Sequence, residues 1–417
     1  MSDPQRGWGR WGIGHPTNTA SRHGHHPPGY VLHPLHIALT LTELVGRIHP
    51  LALTPAWLAL AAIACWPWGT LRLPAAILAL AFTLADGAGL ALLPRLRRSF
   101  GAVTPPLLAL SLVHTALAWA AGCGWVHPSG WVHPTSATWP GLLVATVLHL
   151  AVSGTFAYAT WIEPFRLGVT QARLRSAKLN GPTPLRLLHI SDLHVERITA
   201  REERLLRLVE ELAPDVVVLT GDYLNLSYVY DATAQAEARD LLSRLCDVAH
   251  GPIYAITGSP PVDRSDVVQA IFAGLPIAWL PETIEELYLN GHTIQIAGLS
   301  CLRERRLDVP RLRRLLGEHR TPEFTLLLYH SPDLMPEAVE AGIDLYLCGH
   351  THGGQIRLPL FGALITSSDF WKRYEMGRYE EGNTTLYVSR GLGMEGLGAP
   401  RARFLAPPEI VLWTLSS

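Results

Sequence analysis

Apolar positions divide the chain into two parts. Between residues 51 and 162 four nearly uninterrupted apolar stretches follow one another, at 51–68, 73–93, 105–121 and 139–162. Each is close to the ~20 residues that a helix needs to cross the hydrocarbon of a bilayer, the first and third being the shortest. Trp66, Trp68, Trp125, Trp131, Trp139 and Trp161 edge them, the placement of an interfacial aromatic belt. After residue 165 the pattern changes to short apolar runs alternating with helix-period segments. Strands are predicted at 185–190, 215–220, 252–257, 324–329, 345–348, 385–389 and 409–415, with helices at 202–213, 233–248, 266–272, 310–318 and 334–341. Two further strands, 285–289 and 293–299, flank Asn290-Gly291, a strong hairpin signal. The pattern predicts a leader over 1–36, an all-α transmembrane bundle over 37–165 and an α/β domain over 166–417.

Composition sharpens this division. The 417 residues carry a net charge of −1, so nothing global argues for nucleic acid as a partner. The mean hydropathy of +0.18 is high for a soluble protein, and the first 165 residues are its source. The leader is rich in Gly, Pro, Trp and His (His15, His23, His25, His26, His33, His36) without an apolar period, and reads as disordered. It lacks the apolar core of a cleaved signal peptide. Cys65, Cys123, Cys246, Cys301 and Cys348 are scattered with no CxxC pair, which argues against a disulfide framework. Arginines place the bundle: Arg6, Arg10, Arg22 and Arg47 precede it, Arg95, Arg97 and Arg98 follow the second span, and Arg166, Arg173 and Arg175 follow the fourth, whereas the other two loops hold only Arg72. The positive-inside rule then puts the leader, the 95–104 loop and the C-terminal domain in the cytoplasm of a multi-pass cell-membrane protein. Asp86, His114 and His149 lie within spans, where an ionisable group serves either function or helix–helix hydrogen bonding. The repeat Gly124-Trp125-Val126-His127-Pro128, Gly130-Trp131-Val132-His133-Pro134 has no physical account beyond an interface-lying loop.

The chemistry gathers at strand ends. Asp192 and His194 follow the first predicted strand, Asp222 the second and His330 the strand at 324–329, while His350 and His352 stand in the Gly-rich turn Gly349-His350-Thr351-His352-Gly353-Gly354. Carboxyl ends of strands in an α/β layer are where such folds bind ligands. Two carboxylates and four imidazoles without a thiolate exceed a structural zinc site and suit a dinuclear centre of Mn, Fe or Zn type. A carboxylate such as Asp222 can bridge two cations, and a pair of cations polarises a phosphoryl oxygen and acidifies water, which is the chemistry of phosphoester hydrolysis.

Asp192-x-His194, Gly221-Asp222, His330 and Gly349-His350-x-His352 resemble the motif series of the calcineurin-like metallophosphoesterase superfamily, in its membrane-anchored bacterial branch. The resemblance covers roughly residues 183–415. It implies a four-layer α/β sandwich of two mixed sheets flanked by helices, a first metal held by Asp192, His194, Asp222 and His352, and a second held by Asp222, His330 and His350. One motif departs: where the family has Gly-Asn-His-Asp, this chain has Gly258-Ser259-Pro260-Pro261. Ser259 is a weak substitute for an amide ligand, and Pro260 can donate no proton. The second metal site and leaving-group catalysis are therefore weakened. Of the remaining polar residues, Asp263 is read as an exposed helix cap, His292 and His319 as surface residues, His189 as a core or supporting histidine and Asp333 as a cap of the following helix. Arg390 and Gly391–Gly393 could line the pocket.

The functional expectation is a membrane-anchored, metal-dependent phosphohydrolase with Asp222, His350 and His352 as catalytic residues. Its expected partners are the bilayer and a phosphoester or pyrophosphate substrate, with lipid linkage suggested by anchoring alone. The alternative is a metal- or phosphate-binding sensor that lost efficient turnover with the Asn-His pair. A transporter fits poorly with four short, charge-poor spans.

Overall fold

The computed structural model describes residues 41–123, 139–317 and 322–417. The leader, the Trp-Val-His-Pro repeat and His319 lie outside these residues. The apolar stretches form helices α1 (Thr54–Cys65), α2 (Arg72–Leu92), α3 (Thr104–Cys123) and α4 (Trp139–Ala157). Counted as continuous stretches, three among the described residues are long and apolar enough to cross a membrane: Pro50–Leu92, Thr104–Cys123 and Trp139–Phe165. The first holds both α1 and α2, because the chain breaks at Gly69, whose φ of 55° and ψ of −119° suit a residue without Cβ. The first two expected spans are thus one helical stretch of 43 residues with a reversal inside it. Ala64, Ala79 and Ala118 pack where α1, α2 and α3 meet, small residues that let helices approach closely.

Asp86, His114 and His149 stitch the bundle together. His114 Nε2 lies 2.9 Å from Asp86 Oδ2 and His114 Nδ1 lies 2.7 Å from His149 Nδ1, a line of hydrogen bonds joining α2, α3 and α4. Phe82 stacks on the His149 ring at 5.1 Å. At the end where α2 finishes and α3 begins, Thr104 donates to Ile48 O at 2.7 Å, Phe100 N donates to Glu196 at 3.0 Å, and Arg401 pairs with Glu196 at 2.6 Å. The chain before α1, the α2–α3 connection and the C-terminal half therefore meet at one end of the bundle.

The second half contains β1 (Gly168–Arg175), β2 (Leu185–Ile190), α5 (Ala200–Leu212), β3 (Val216–Leu219), α6 (Ala232–Val248), β4 (Ile253–Ala255), α7 (Ser265–Phe272), β5 (Ile277–Trp279), β6 (Glu282–Leu289) and β7 (His292–Leu299). It continues with α8 (Arg305–Gly317), β8 (Phe324–Leu328), α9 (Met335–Ala341), β9 (Leu345–Cys348), β10 (Arg357–Leu358), β11 (Gly362–Ala363), β12 (Gly377–Glu381), β13 (Thr384–Val388) and β14 (Glu409–Ser416). Two six-stranded mixed sheets run β1-β14-β2-β3-β4-β5 and β12-β13-β9-β8-β7-β6. Alternation along each strand assigns the layers: Val216 and Val218 of β3 face the second sheet with Leu326, Leu328 and Leu345, while Val217 and Leu219 face α5 and α6. The second sheet packs its other face on α8 and α9. This is the expected helix–sheet–sheet–helix sandwich.

The sheets start earlier in the chain than the first expected strand at 185–190. The first strand is β1, which pairs in parallel with β14 along eight residues. Its sequence Gly-Val-Thr-Gln-Ala-Arg-Leu-Arg is only half buried, and its arginines read as a juxtamembrane flank. The edge strand β12 is polar for the same reason, since one side of an edge faces water.

Candidate metal centre

Strands β2, β3 and β4 run parallel in one sheet and β8, β9 and β13 in the other. Their carboxyl ends deliver Asp192 and His194, Asp222, Ser259, His330, and His350 and His352 to one buried cleft between the sheets. The loops zip together there: Asp192 N donates to Gly221 O at 3.0 Å, His194 N to Asp222 O at 2.9 Å, and Gly349 N to His330 O at 2.9 Å. Glycine is needed at two of these crossings. A Cβ on Gly258 would lie 2.2 Å from Asp222 Oδ1, and one on Gly349 would lie 1.9 Å from Asp192 Oδ2.

All six residues singled out by sequence come together. One group of ligand atoms is offered by Asp192, His194 and His352, the other by Asp222, His330 and His350, each group lying within 4.8 Å. His194 Nε2 stands 3.1 Å from His352 Nε2, which in turn is 3.6 Å from Asp192 Oδ1. Asp222 Oδ2 lies 3.2 Å from His330 Nε2 and 3.5 Å from His194 Nε2, so this carboxylate sits between the groups. Five of the six (Asp192, His194, Asp222, His350 and His352) have φ between 42° and 71°, the left-handed region. Non-glycine residues there cost on the order of 1–3 kcal/mol each and persist where surroundings over-determine them, commonly at functional sites.

The rings are oriented from behind. His330 Nδ1 donates to Thr220 O at 2.7 Å and His350 Nε2 to Ser367 O at 3.2 Å, which leaves His330 Nε2 and His350 Nδ1 free to point inward. His189, in the core, bonds Thr220 Oγ1 at 2.8 Å and so supports the same turn. Burial drives His350 and His352 well below the ordinary imidazole value and keeps them neutral, the ligating form. Burial alone would raise Asp222, but His330, His194 and His350 outweigh it and hold this carboxyl well below the usual range. His330 is lowered by burial yet lifted by Asp222, ending at about 9. Two buried sets of three inward donors, carboxylate and imidazole only, fit borderline transition-metal cations.

Several supporting residues escaped the sequence reading. Asp263 is buried rather than an exposed cap: its carboxylate accepts from the amides of Asp222 at 2.7 Å, Tyr223 at 2.9 Å and Gly258 at 2.7 Å. It thereby fixes the loop carrying Ser259. Ser259 Oγ lies 3.3 Å from His330 Nε2, and 3.4 Å from both His350 Nδ1 and Asp222 Oδ2, so the hydroxyl stands inside the second group. Arg403 is fully buried; it donates to the carbonyls of Arg390, Gly391 and Gly393, and its Nη2 lies 3.3 Å from His352 Nδ1. No local motif marks Arg403, which follows His352 by 51 residues. Arg390 does not reach into the cleft but pairs with Glu409 at 2.6 Å. His292 is likewise buried, accepting from Gly181 N at 3.0 Å with its Nε2 2.8 Å from Thr183 O. Asp333 does not cap α9, whose N-terminus has no side-chain cap; Ser331 caps the short turn Pro332–Leu334 that leads into it, and Asp333 accepts from Ser368 Oγ at 2.6 Å and Asp369 N at 3.0 Å.

Comparison with known proteins agrees with this geometry. Residues 185–354 match the family described as calcineurin-like phosphoesterase. A metallophosphoesterase of Bacillus subtilis, YkuE, is 31% identical over 276 residues, covering 64% of this chain and 92% of its own. The phosphodiesterase YaeI of Escherichia coli is 29% identical, covering 66% and 97%. The UDP-2,3-diacylglucosamine pyrophosphatase LpxG of Chlamydia trachomatis is 28% identical, covering 62% and 92%. With two sheets closing on paired carboxylate–imidazole groups and relatives of this kind matched over nearly their whole length, the chain belongs to the calcineurin-like metallophosphoesterases, metal-dependent hydrolases of phosphoesters.

Proposed function

We propose that the protein is a membrane-anchored phosphohydrolase with a dinuclear centre, acting on a lipid-linked phosphoester or pyrophosphate at the cytoplasmic face. The observation that carries this reading is the convergence of two three-ligand groups on one cleft, with Asp222 between them. The docking of that domain against three apolar, membrane-length helical stretches supports anchoring. The arginine distribution supports the cytoplasmic side. The printed activity of the chlamydial relative, a pyrophosphatase of a diacylated sugar nucleotide, supports lipid linkage.

In this reading Asp192, His194, Asp222 and His352 hold one cation and Asp222, His330 and His350 the other. Bound there, cations of Mn, Fe or Zn type would supply Lewis acidity to the phosphoryl oxygen and acidify water. The chain's own part is positioning. Asp222 fixes the spacing of the two groups, Thr220 O and Ser367 O set the tautomers of His330 and His350, and Asp263 holds the loop that presents Ser259. Ser259 Oγ takes the place of an amide ligand, and Pro260 contributes no acid. The leaving oxygen therefore takes its proton from water, which costs part of the ~10²–10⁴-fold gain that a positioned acid supplies.

Ser259 and Pro260 also favour the second reading, a sensor that binds metal or phosphate without turnover. Metal stoichiometry together with hydrolysis of an aryl phosphate diester separates the two. The wild type is expected to hold two cations and turn over slowly, and Ser259→Asn with Pro260→His and Pro261→Asp to turn over faster. Two cations without turnover in the wild type, restored by the triple change, would favour the sensor.

A further inference from the structure

We propose that the β10–β11 hairpin is a membrane-surface element: its apolar tip enters the leaflet on the side where the catalytic domain docks and presents lipid headgroups to the metal cleft. The inference rests on the anchored-phosphohydrolase reading and adds the surface by which substrate arrives.

The first observation is exposure. Among the described residues after 165, ten large apolar or aromatic side chains are exposed, and six of them fall within residues 358–371. Leu360, at the tip, is 110% exposed, and Leu358, Phe361, Leu364, Ile365 and Trp371 lie between 44% and 56%. Exposed apolar side chains scattered singly need no explanation, but six gathered in 14 residues mark an interaction surface.

The second is where the hairpin begins and ends. It leaves the site immediately after His352, where Arg357 Nη1 donates to Gly353 O at 2.7 Å. It returns at Ser367, whose carbonyl oxygen accepts from His350 Nε2 at 3.2 Å. Between these points only two residue pairs, Arg357 with Ala363 and Leu358 with Gly362, close the ladder, with Leu360 at φ 65° in the turn. The hairpin thus starts and ends beside proposed ligands, and among the described residues the tip side chains join no buried core cluster, the Phe361 ring being met by Lys372 Nζ at 3.7 Å from its centroid.

The third observation identifies the occupant. The hairpin base is fastened to the end of the bundle: Arg357 N donates to Phe404 O at 3.0 Å and Phe404 N to Gln355 O at 2.9 Å. The Phe404 ring meets the Tyr158 ring edge-on at 6.3 Å, and Arg403 N donates to Ala159 O at 2.8 Å. Tyr158 directly follows α4, whose 19 residues span about 28 Å, nearly the hydrocarbon thickness. Trp139 stands at one end of α4, and Tyr158 and Trp161 stand at the other, the spacing of two aromatic belts. The hairpin base is thereby held at the level of the bilayer interface, and the nearest apolar medium for its tip is the leaflet itself.

The test uses the full chain in vesicles of phosphatidylcholine and phosphatidylglycerol. A benzophenone side chain is placed at Phe361 and, as control, at Tyr288, which is 74% exposed at the end of the second sheet away from the site. Illumination is expected to give a lipid adduct at 361 and none at 288. A second arm compares Leu360→Asp with Phe361→Asp, which are expected to keep wild-type turnover of a soluble aryl phosphate diester. Hydrolysis of a long-chain lipid pyrophosphate in the same vesicles should fall about tenfold or more, the equivalent of losing one buried apolar side chain. If the protein floats with the vesicles but Phe361 yields no lipid adduct, the inference is overturned and the anchored enzyme stands. Should the protein fail to float with vesicles, both fall. A lipid adduct at 361 with no turnover of either substrate by wild type upholds the surface and removes the enzymatic reading.

Discussion

Two regions of this molecule bury the same kinds of side chain, and they differ in how the backbone presents them. In the bundle, Asp86, His114 and His149 project from regular helices and bond in a line, each ring nitrogen of His114 being taken by a neighbour. In the cleft, five of six acid and imidazole residues sit on left-handed backbone, and the ring nitrogens face shared points instead of one another's partners. Among the described residues, only the cleft brings three such ligand atoms within 4.8 Å of one another. The difference teaches that residue type alone does not make a metal centre. A helix hands out side chains at fixed intervals and yields pairwise hydrogen bonds between helices, whereas strained turns at strand ends can aim several donors at one place.

The sharpest way to break the comparison is Asp222→Ala. Losing the shared carboxylate should lower kcat/KM on an aryl phosphate diester by at least the ~10²–10³-fold that removal of one preorganised electrostatic group costs, with metal content falling in parallel by elemental analysis. Chelation comes next. At a free metal concentration of about 100 times Kd each bound cation contributes about 2.7 kcal/mol, so stripping the cations should lower Tm by that equivalent per site and readdition should restore it. The same shift is expected in an Asp86→Asn background, because the distant sites add independently.

Arg403→Met tests the support of His352. It should reduce activity or metal affinity about 10–100-fold, as loss of a partner outside the ligand set does, while hydrolysis remains measurable. The smallest effect belongs to the bundle. Asp86→Asn should cost on the order of 0.6–2 kcal/mol in thermal unfolding of the detergent-solubilised protein and leave kcat/KM unchanged. A loss of turnover from Asp86→Asn equal to that from Asp222→Ala would show that the two clusters are not separate in role.

Much of the cleft was legible because its acid and imidazole residues obey a local rule: they stand within a few residues of the end of an apolar run, and Gly221, Gly258 and Gly349 punctuate the turns. The strands that were missed are those in which one face or one edge meets water. The arginines of β1 and the glutamates of β12 hide the apolar alternation. Asp263 and His292 were misplaced for a different reason. Both lie beside turn signals, which suggest solvent, yet neighbouring loops cover them and backbone amides satisfy them. Burial of a turn residue depends on which other loop lies over it, and that is a long-range fact.

The order of apolar runs and punctuating polar residues was enough to determine an apolar helical bundle, an α/β domain after it, and six ligand-type residues at strand ends, because each follows from periodicity over a few neighbouring positions, whereas the division into two sheets came from the family resemblance. Only the tertiary structure decided that Asp222 stands between the two groups, that Ser259 enters the second, that Arg403 backs His352, and that the 357–363 hairpin leaves its leucines uncovered beside the end of α4. These outcomes depend on distances between segments far apart in the chain, and no local pattern encodes such distances until the sheets have closed.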